Sequence, residues 1–205
     1  MHEELKEQLR QIENNRDFWA LLHRVKKERI NDDELLGQIE NVSVKRFREQ
    51  VSFTLSMAFG NLLATIVTIA AVIMAFQKGE WVLYLSALVL MTSLHPLSHY
   101  LTGNLLGIKF THYYLNGPAK IEPTLRINYS SYLKASPERR ALMHASGVVG
   151  TIAAPLIAML IALNKGADDA AFNLFILFLL LIAFELLTST KTGDLMRAKR
   201  EYGYR

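Results

Sequence analysis

Four apolar blocks, at 51–76, 81–108, 141–163 and about 170–190, each exceed the roughly 20 residues that an α-helix needs to cross a hydrocarbon core. Within lipid every backbone amide and carbonyl must find its partner inside the segment, so blocks of this length are expected to span a bilayer as helices. Hydrophobic residues make up 51% of the chain, yet mean hydropathy is only +0.15, because charged segments separate the blocks. A soluble domain would instead spread its apolar residues along amphipathic elements.

The connectors 77–80 and 164–169 are short, so spans one and two, and spans three and four, form antiparallel hairpins. Lys and Arg number 10 in residues 1–50, six in the loop 109–140 and five from 191 onward, against one in each short connector, Lys78 and Lys165. Positive charge collects on the cytoplasmic side of membrane proteins, which places both termini and the central loop in the cytoplasm. The basic residues flank apolar blocks rather than forming a stripe with interleaved aromatics, so nucleic acid is not expected as a partner. The lack of cysteine excludes disulfides, thiolate catalysis and cysteine-bound metal. The first fifty residues are too charged for a secretory signal, so the first span is expected to direct its own insertion.

Residues 1–50 carry Leu5, Leu9, Ile12, Trp19, Leu22 and Val25 at helical spacings among acids and bases, the pattern of an amphipathic helix. Asn31-Asp32-Asp33-Glu34 resembles a capping box and opens a second helix through Leu35, Leu36 and Ile39. The pair reads as a hairpin lying on the membrane or on the protein's own cytoplasmic face; no sustained heptad supports a coiled coil. In the central loop, Lys109–Tyr114 and Leu125–Tyr129 are rich in β-formers and bounded by Gly117-Pro118 and Pro123, predicting two short strands. The expected fold class is an all-α polytopic membrane protein: a cytoplasmic helical segment (1–50), then a four-span domain (51–205) with a small β-containing cytoplasmic loop.

An ionisable group inside a span costs roughly 2.5–3.5 kcal/mol, so the few present call for a reason. His95 and His99, in Leu94-His95-Pro96-Leu97-Ser98-His99, lie one turn apart on one helical face, a spacing that chelates a single metal ion or, alternatively, supplies packing hydrogen bonds. Pro96 between them frees the carbonyl of Thr92. Asp194, at the cytoplasmic end of span four, is a candidate third ligand; beside Lys191 and Arg197 it also reads as an ordinary solvated acid. Two histidines and a carboxylate form a zinc set with an open position. Glu185, deeper in span four, is a candidate base or a protonated packing group. His144 is a candidate to support the ligands from behind. Ala145, Ser146, Gly147, Gly150, Ala153 and Ala154 permit close helix approach.

The order of these motifs resembles the site-2 protease family of intramembrane zinc metallopeptidases over about residues 81–200. That family carries H-E-x-x-H in one span, a β-containing cytoplasmic loop, a small-residue start to the next span, and a later N-x-x-P segment leading to a metal-binding Asp-Gly. Here the counterparts are His95-Pro96-Leu97-Ser98-His99, the loop with Ser136-Pro137-Glu138, Ala145-Ser146-Gly147, and Phe184-Glu185-Leu186-Leu187 before Asp194. The resemblance implies Zn2+ bound by His95, His99 and Asp194, and transmembrane segments of other proteins as partners alongside membrane lipid. The family's general acid/base Glu is Pro96 here, its Asn is Glu185, its Pro is Thr188, and the Gly after its Asp is Leu195. Losing the acid/base group costs roughly 10²–10⁴ in rate. Three expectations therefore stand together. One is a zinc-binding, weak or inactive family-like protein that holds transmembrane segments. The second is an active peptidase using Glu185, Glu122 or Glu138 as substitute base. The third is a metal-free transporter or assembly factor. Nine residues separate Glu185 from Asp194, so the two share a face only if the helix breaks between Thr188 and Gly193. Self-association into a homo-oligomer stays open.

Overall fold

The computed structural model describes residues 2–10, 15–116, 121–188 and 193–205. Of the features predicted above, Ile12, the Gly117-Pro118 turn, Lys191 and the last residues of the fourth block lie outside them. Among the described residues, four helices are long and apolar enough to cross a membrane. In a molecule whose elements run α1 (His2–Arg10), α2 (Asn15–Lys27), α3 (Asp33–Gln50), β1 (Thr54–Ser56), α4 (Met57–Ala75), α5 (Trp81–Leu105), β2 (Phe110–Asn116), β3 (Glu122–Ile127), α6 (Tyr129–Lys134), α7 (Pro137–Asn164), α8 (Asp168–Thr188) and α9 (Gly193–Tyr202), these are α4, α5, α7 and α8.

The α5 and α7 helices form the inner pair, with α4 laid on α5 and α8 on α7. Small residues set this order. A Cβ on Gly150 would come within 2.7 Å of the Leu94 carbonyl oxygen, so only glycine lets α7 approach α5 this closely. Ser86 donates to the Ala71 carbonyl (2.6 Å) and the Thr68 and Ser93 hydroxyls are hydrogen-bonded to each other (2.8 Å), tying α4 to α5 by polar groups inside the hydrocarbon layer. The outer helices leave Leu62, Ile66, Ile69, Leu180, Phe184 and Leu187 exposed, a surface suited to lipid. At the end away from the charged layer, the Lys165 ammonium bonds the Ala75 and Gln77 carbonyls, closing one hairpin onto the other.

The other end carries a polar layer with its own core. Leu5, Leu22, Val25, Leu35, Leu36 and Ile39 from α1–α3 pack with Ile108, Tyr132, Leu133 and Met143. The helical segment thus covers the protein's own polar face. It contains three helices where the apolar pattern suggested two, and α3 is capped by Asp32, whose carboxylate accepts from Leu35 N (3.0 Å).

The sheet has three strands, ordered β1-β2-β3 and antiparallel throughout. Two strands were expected; the third comes from the start of the first apolar block. Thr54, Leu55 and Ser56 pair with Tyr114, Tyr113 and His112, and the helix begins only at Met57, where Ser56 accepts from Phe59 N. Burial of Tyr113 against Gly60, whose absent Cβ would overlap the ring at 2.1 Å, locks β2 to α4. Tyr129 belongs to α6 rather than to a strand, because Asn128 caps that helix by accepting from Ser131 N (2.9 Å). The third span is longer than its apolar block: Ser136 caps α7, Pro137 occupies its first turn, and Arg140 is buried within it.

Candidate metal centre

The two histidines sit on α5 where it crosses the small-residue stretch of α7. A Cβ on Gly147 would lie 2.2 Å from His99 Nε2, so this glycine makes the space the imidazole occupies. The ring planes of His95 and His99 meet nearly edge to face with centroids 4.8 Å apart.

Each ring has one nitrogen committed to α7. His99 Nδ1 lies 2.7 Å from the Met143 carbonyl, which can only accept, so Nδ1 carries the proton. His95 Nδ1 lies 2.9 Å from the Thr151 hydroxyl, and that hydroxyl donates its own hydrogen to the Gly147 carbonyl (3.2 Å). Thr151 therefore accepts from His95, and Nδ1 carries the proton again. Both rings are left presenting Nε2 to the same carboxylate oxygen, Asp194 Oδ2, at 3.2 Å from His95 and 3.0 Å from His99.

Asp194 reaches this point because α8 ends at Thr188 and a separate helix, α9, begins at Gly193, whose φ of +87° lies in the region glycine favours. Its side chain is only 11% exposed. The acid is thus not the solvated helix-end residue that its charged neighbours suggested. Arg197 donates to its other oxygen, Oδ1, at 3.3 Å.

The donor set fits a divalent metal. Neutral imidazoles with both Nδ1 protons committed aim lone pairs at a carboxylate, and such a contact is repulsive unless a cation or extra protons lie between. The three ligand atoms all lie within 4.8 Å of one another. One metal ion with bonds of about 2.0–2.6 Å to each ligand can bridge atoms this far apart. The Nδ1 hydrogen bonds to a carbonyl and a hydroxyl are the kind that orient metal-binding histidines.

A pocket of about 100 Å³ opens beside the three ligands, lined among others by Pro96, Glu122, His144 and Arg197. Glu122, on the edge strand β3, lines this pocket together with Asp194, and Glu185 acts on His95 and Asp194 through its charge. Glu185, one of the three substitute bases named from the sequence, is partly buried on α8 and is not among the residues lining this pocket. Glu138 pairs instead with Arg205 (3.4 Å). His144 is buried behind His99, with ring centroids 6.5 Å apart, and its Nε2 lies 2.8 Å from the Tyr132 hydroxyl. Pro96 lines both this pocket and an apolar groove of about 200 Å³ between α4, α5 and the sheet.

Sequence reasoning missed Thr151 and the functional side of Gly147. Gly147 stood in a cluster read as packing, and Thr151 stood one helical turn beyond it. The spacing 144-147-151 on one face of α7 is the signal that would have found them. No family model, curated protein or solved structure matches this chain.

Proposed function

We propose that this chain is a multi-pass membrane protein of the site-2 protease type, with both termini in the cytoplasm, that binds one zinc ion through His95, His99 and Asp194. Holding transmembrane segments of other proteins is its activity, with weak or no peptide hydrolysis. The observation that carries this reading is the commitment of both Nδ1 protons to α7, which leaves two Nε2 lone pairs converging on one Asp194 oxygen. Zinc in a three-ligand set acts as a Lewis acid toward a fourth group. The chain's own residues orient that set: Thr151 and the Met143 carbonyl fix the rings, and Arg197 holds the carboxylate. Pro96 stands where the family has its acid/base, and it carries no proton to move. The apolar groove between α4 and α5, which reaches Pro96, suits entry of an apolar segment from the bilayer.

Metal analysis of the purified chain tests the reading. One zinc per chain is expected, lost in the His95→Ala/His99→Ala double variant. Wild-type protein that takes up no zinc after addition of excess metal would overturn it.

Glu122 supports a second reading, an active peptidase with its base on the sheet rather than on the helix. It predicts chelator-sensitive cleavage of a single-span reporter that disappears in Glu122→Gln and survives in Glu185→Gln. Absence of any turnover by zinc-loaded wild type excludes it.

A further inference from the structure

Beside the pocket at the candidate metal ligands lies a larger cavity. About 630 Å³ in volume and half open, it lies between α2, α3, the sheet and α9. Ligand-binding cavities commonly measure about 300–1,000 Å³.

Its lining is strongly biased. Among the described residues, five cationic side chains border it, Lys26, Arg46, Arg126, Arg197 and Arg200, against one acid, Glu201. Lys26 pairs with that acid (2.5 Å), which Arg140 also reaches from behind the wall (2.7 Å), while Arg126 pairs with Glu40 (2.9 Å) and Arg197 with Asp194 (3.3 Å). Between the cations stand six aromatic rings, those of Phe18, Trp19, Phe47, Tyr114, Tyr129 and Tyr132. Four of the five cations are arginines, whose planar forks pair with carboxylates in two-point fashion and stack on rings. Thr124, Leu125, His144 and Arg197 border both this cavity and the pocket at the metal ligands, so the two spaces adjoin across one wall.

We propose that this cavity binds an acidic, aromatic-containing stretch of polypeptide, the part of a partner membrane protein that continues beyond the metal centre into the charged layer. The proposal rests on the reading that the centre receives a transmembrane segment, and it names what must follow that segment in the partner's sequence. A chain leaving the metal pocket past Arg197 enters a space where carboxylates meet arginines and aromatic side chains meet rings. A basic stretch meets repulsion there, which discriminates against wrong partners. Most membrane proteins carry Lys and Arg at this position. Selecting acid therefore separates a minority of partners from the bulk.

The test uses the full chain in detergent and fluorescence anisotropy of two labelled peptides, one alternating Glu with Phe and the other alternating Lys with Phe. The acidic peptide is expected to bind at least tenfold more tightly, with affinity falling as salt rises. Arg46→Glu/Arg200→Glu is expected to abolish that preference while leaving zinc stoichiometry unchanged. The milder Arg46→Gln/Arg200→Gln pair, checked for retained helicity, is expected to weaken acidic-peptide binding severalfold. Equal binding of both peptides by zinc-loaded protein overturns the cavity proposal alone. So does full displacement of the acidic peptide by micromolar ATP, which would make the cavity a nucleotide site. Charge-selective binding by a chain that takes up no zinc upholds the cavity and removes only the metal reading.

Discussion

Glu201 stands seven residues after Asp194 on one face of α9, so the helix that delivers Asp194 to His95 and His99 is itself held by a second, fully buried carboxylate. Glu201 bonds Lys26 of α2 and Arg140 of α7, and Arg140 also donates to the Ala135 carbonyl (2.6 Å). One helix face thus ties the N-terminal helices, the third span and the metal ligands together. Removing one member of a buried ion cluster strands its partners and costs about 3–5 kcal/mol. Glu201→Gln is expected to lower thermal stability by that order and to weaken zinc binding at least tenfold, because α9 loses its anchor. Thermal unfolding and zinc titration in the same detergent check both effects; unchanged zinc affinity in a destabilised variant would show that Asp194 is placed without the anchor.

The same cluster sets an acid limit. Burial raises the Glu201 carboxyl, but Lys26 and Arg140 together outweigh it and hold the group below its ordinary value of 4.5. With the folded pKa depressed, the unfolded chain binds the proton more readily. The stabilisation is complete above about pH 4.5 and is lost as pH falls from there through the depressed value. Unfolding temperature measured from pH 7 to pH 3 should therefore drop along an acid limb that is shallower in Glu201→Gln. Parallel limbs in both proteins would assign acid sensitivity to other groups.

How much of this was legible follows from the range over which each force acts. Spans, hairpins and the i,i+4 histidines are local, and runs of apolar residues and spacing along one helix report them directly. Asp194 was reachable only by pairing distant segments through topology, and its burial was hidden because Lys191 and Arg197 read as a solvated helix end. The strand at Thr54–Ser56 was absorbed into an apolar block because its pairing partners, His112 to Tyr114, lie more than fifty residues away. Lys26, Arg140 and Glu201 lie far apart in the sequence, and no local spacing links them. Only the fold shows that each is buried for the sake of the others.

Thr151 offers a test of the metal set that avoids the ligands themselves. Thr151→Val keeps the shape but removes the acceptor for His95 Nδ1, freeing that ring to turn or to exchange its proton between nitrogens. Loss of such a supporting bond typically costs 10–100-fold in metal affinity. Zinc affinity is expected to fall by that order in competition with a chromogenic chelator, with stability changed by less than about 1 kcal/mol. Retention of wild-type affinity would mean that the hydroxyl does not orient the ligand.

Gly147 and Gly37 separate space from conformation. Gly147→Ala forces His99 aside, since the new Cβ would sit 2.2 Å from its Nε2, whereas a Cβ on Gly37 in α3 meets nothing within 4 Å. Gly147→Ala should lose zinc at stoichiometric metal. Gly37→Ala should bind zinc normally and gain roughly 0.5–1 kcal/mol, the usual helix preference for Ala over Gly. Circular dichroism melts and metal analysis of the two variants, side by side, distinguish a crowded ligand from a generally disturbed fold.

Pro96→Glu asks whether the missing proton carrier is all that separates this chain from a working peptidase. Pro96 lines the pocket beside His95, His99 and Asp194 and also the apolar groove from the bilayer, so a carboxylate introduced there meets both spaces. The change returns a backbone N–H to α5 opposite the Thr92 carbonyl, which favours the helix rather than straining it. A carboxylate there stands next to both histidines, where a group that takes and returns a proton is needed. Chelator-sensitive cleavage of single-span reporter segments, with a Glu/Phe-rich stretch on the charged side, is expected to rise by roughly 10²–10⁴ over wild type. If the variant binds zinc and the reporter yet cleaves none of it, the open side of the metal centre is not shaped for peptide hydrolysis. The protein would then be a binder of membrane segments by construction of its pocket, not by loss of one group.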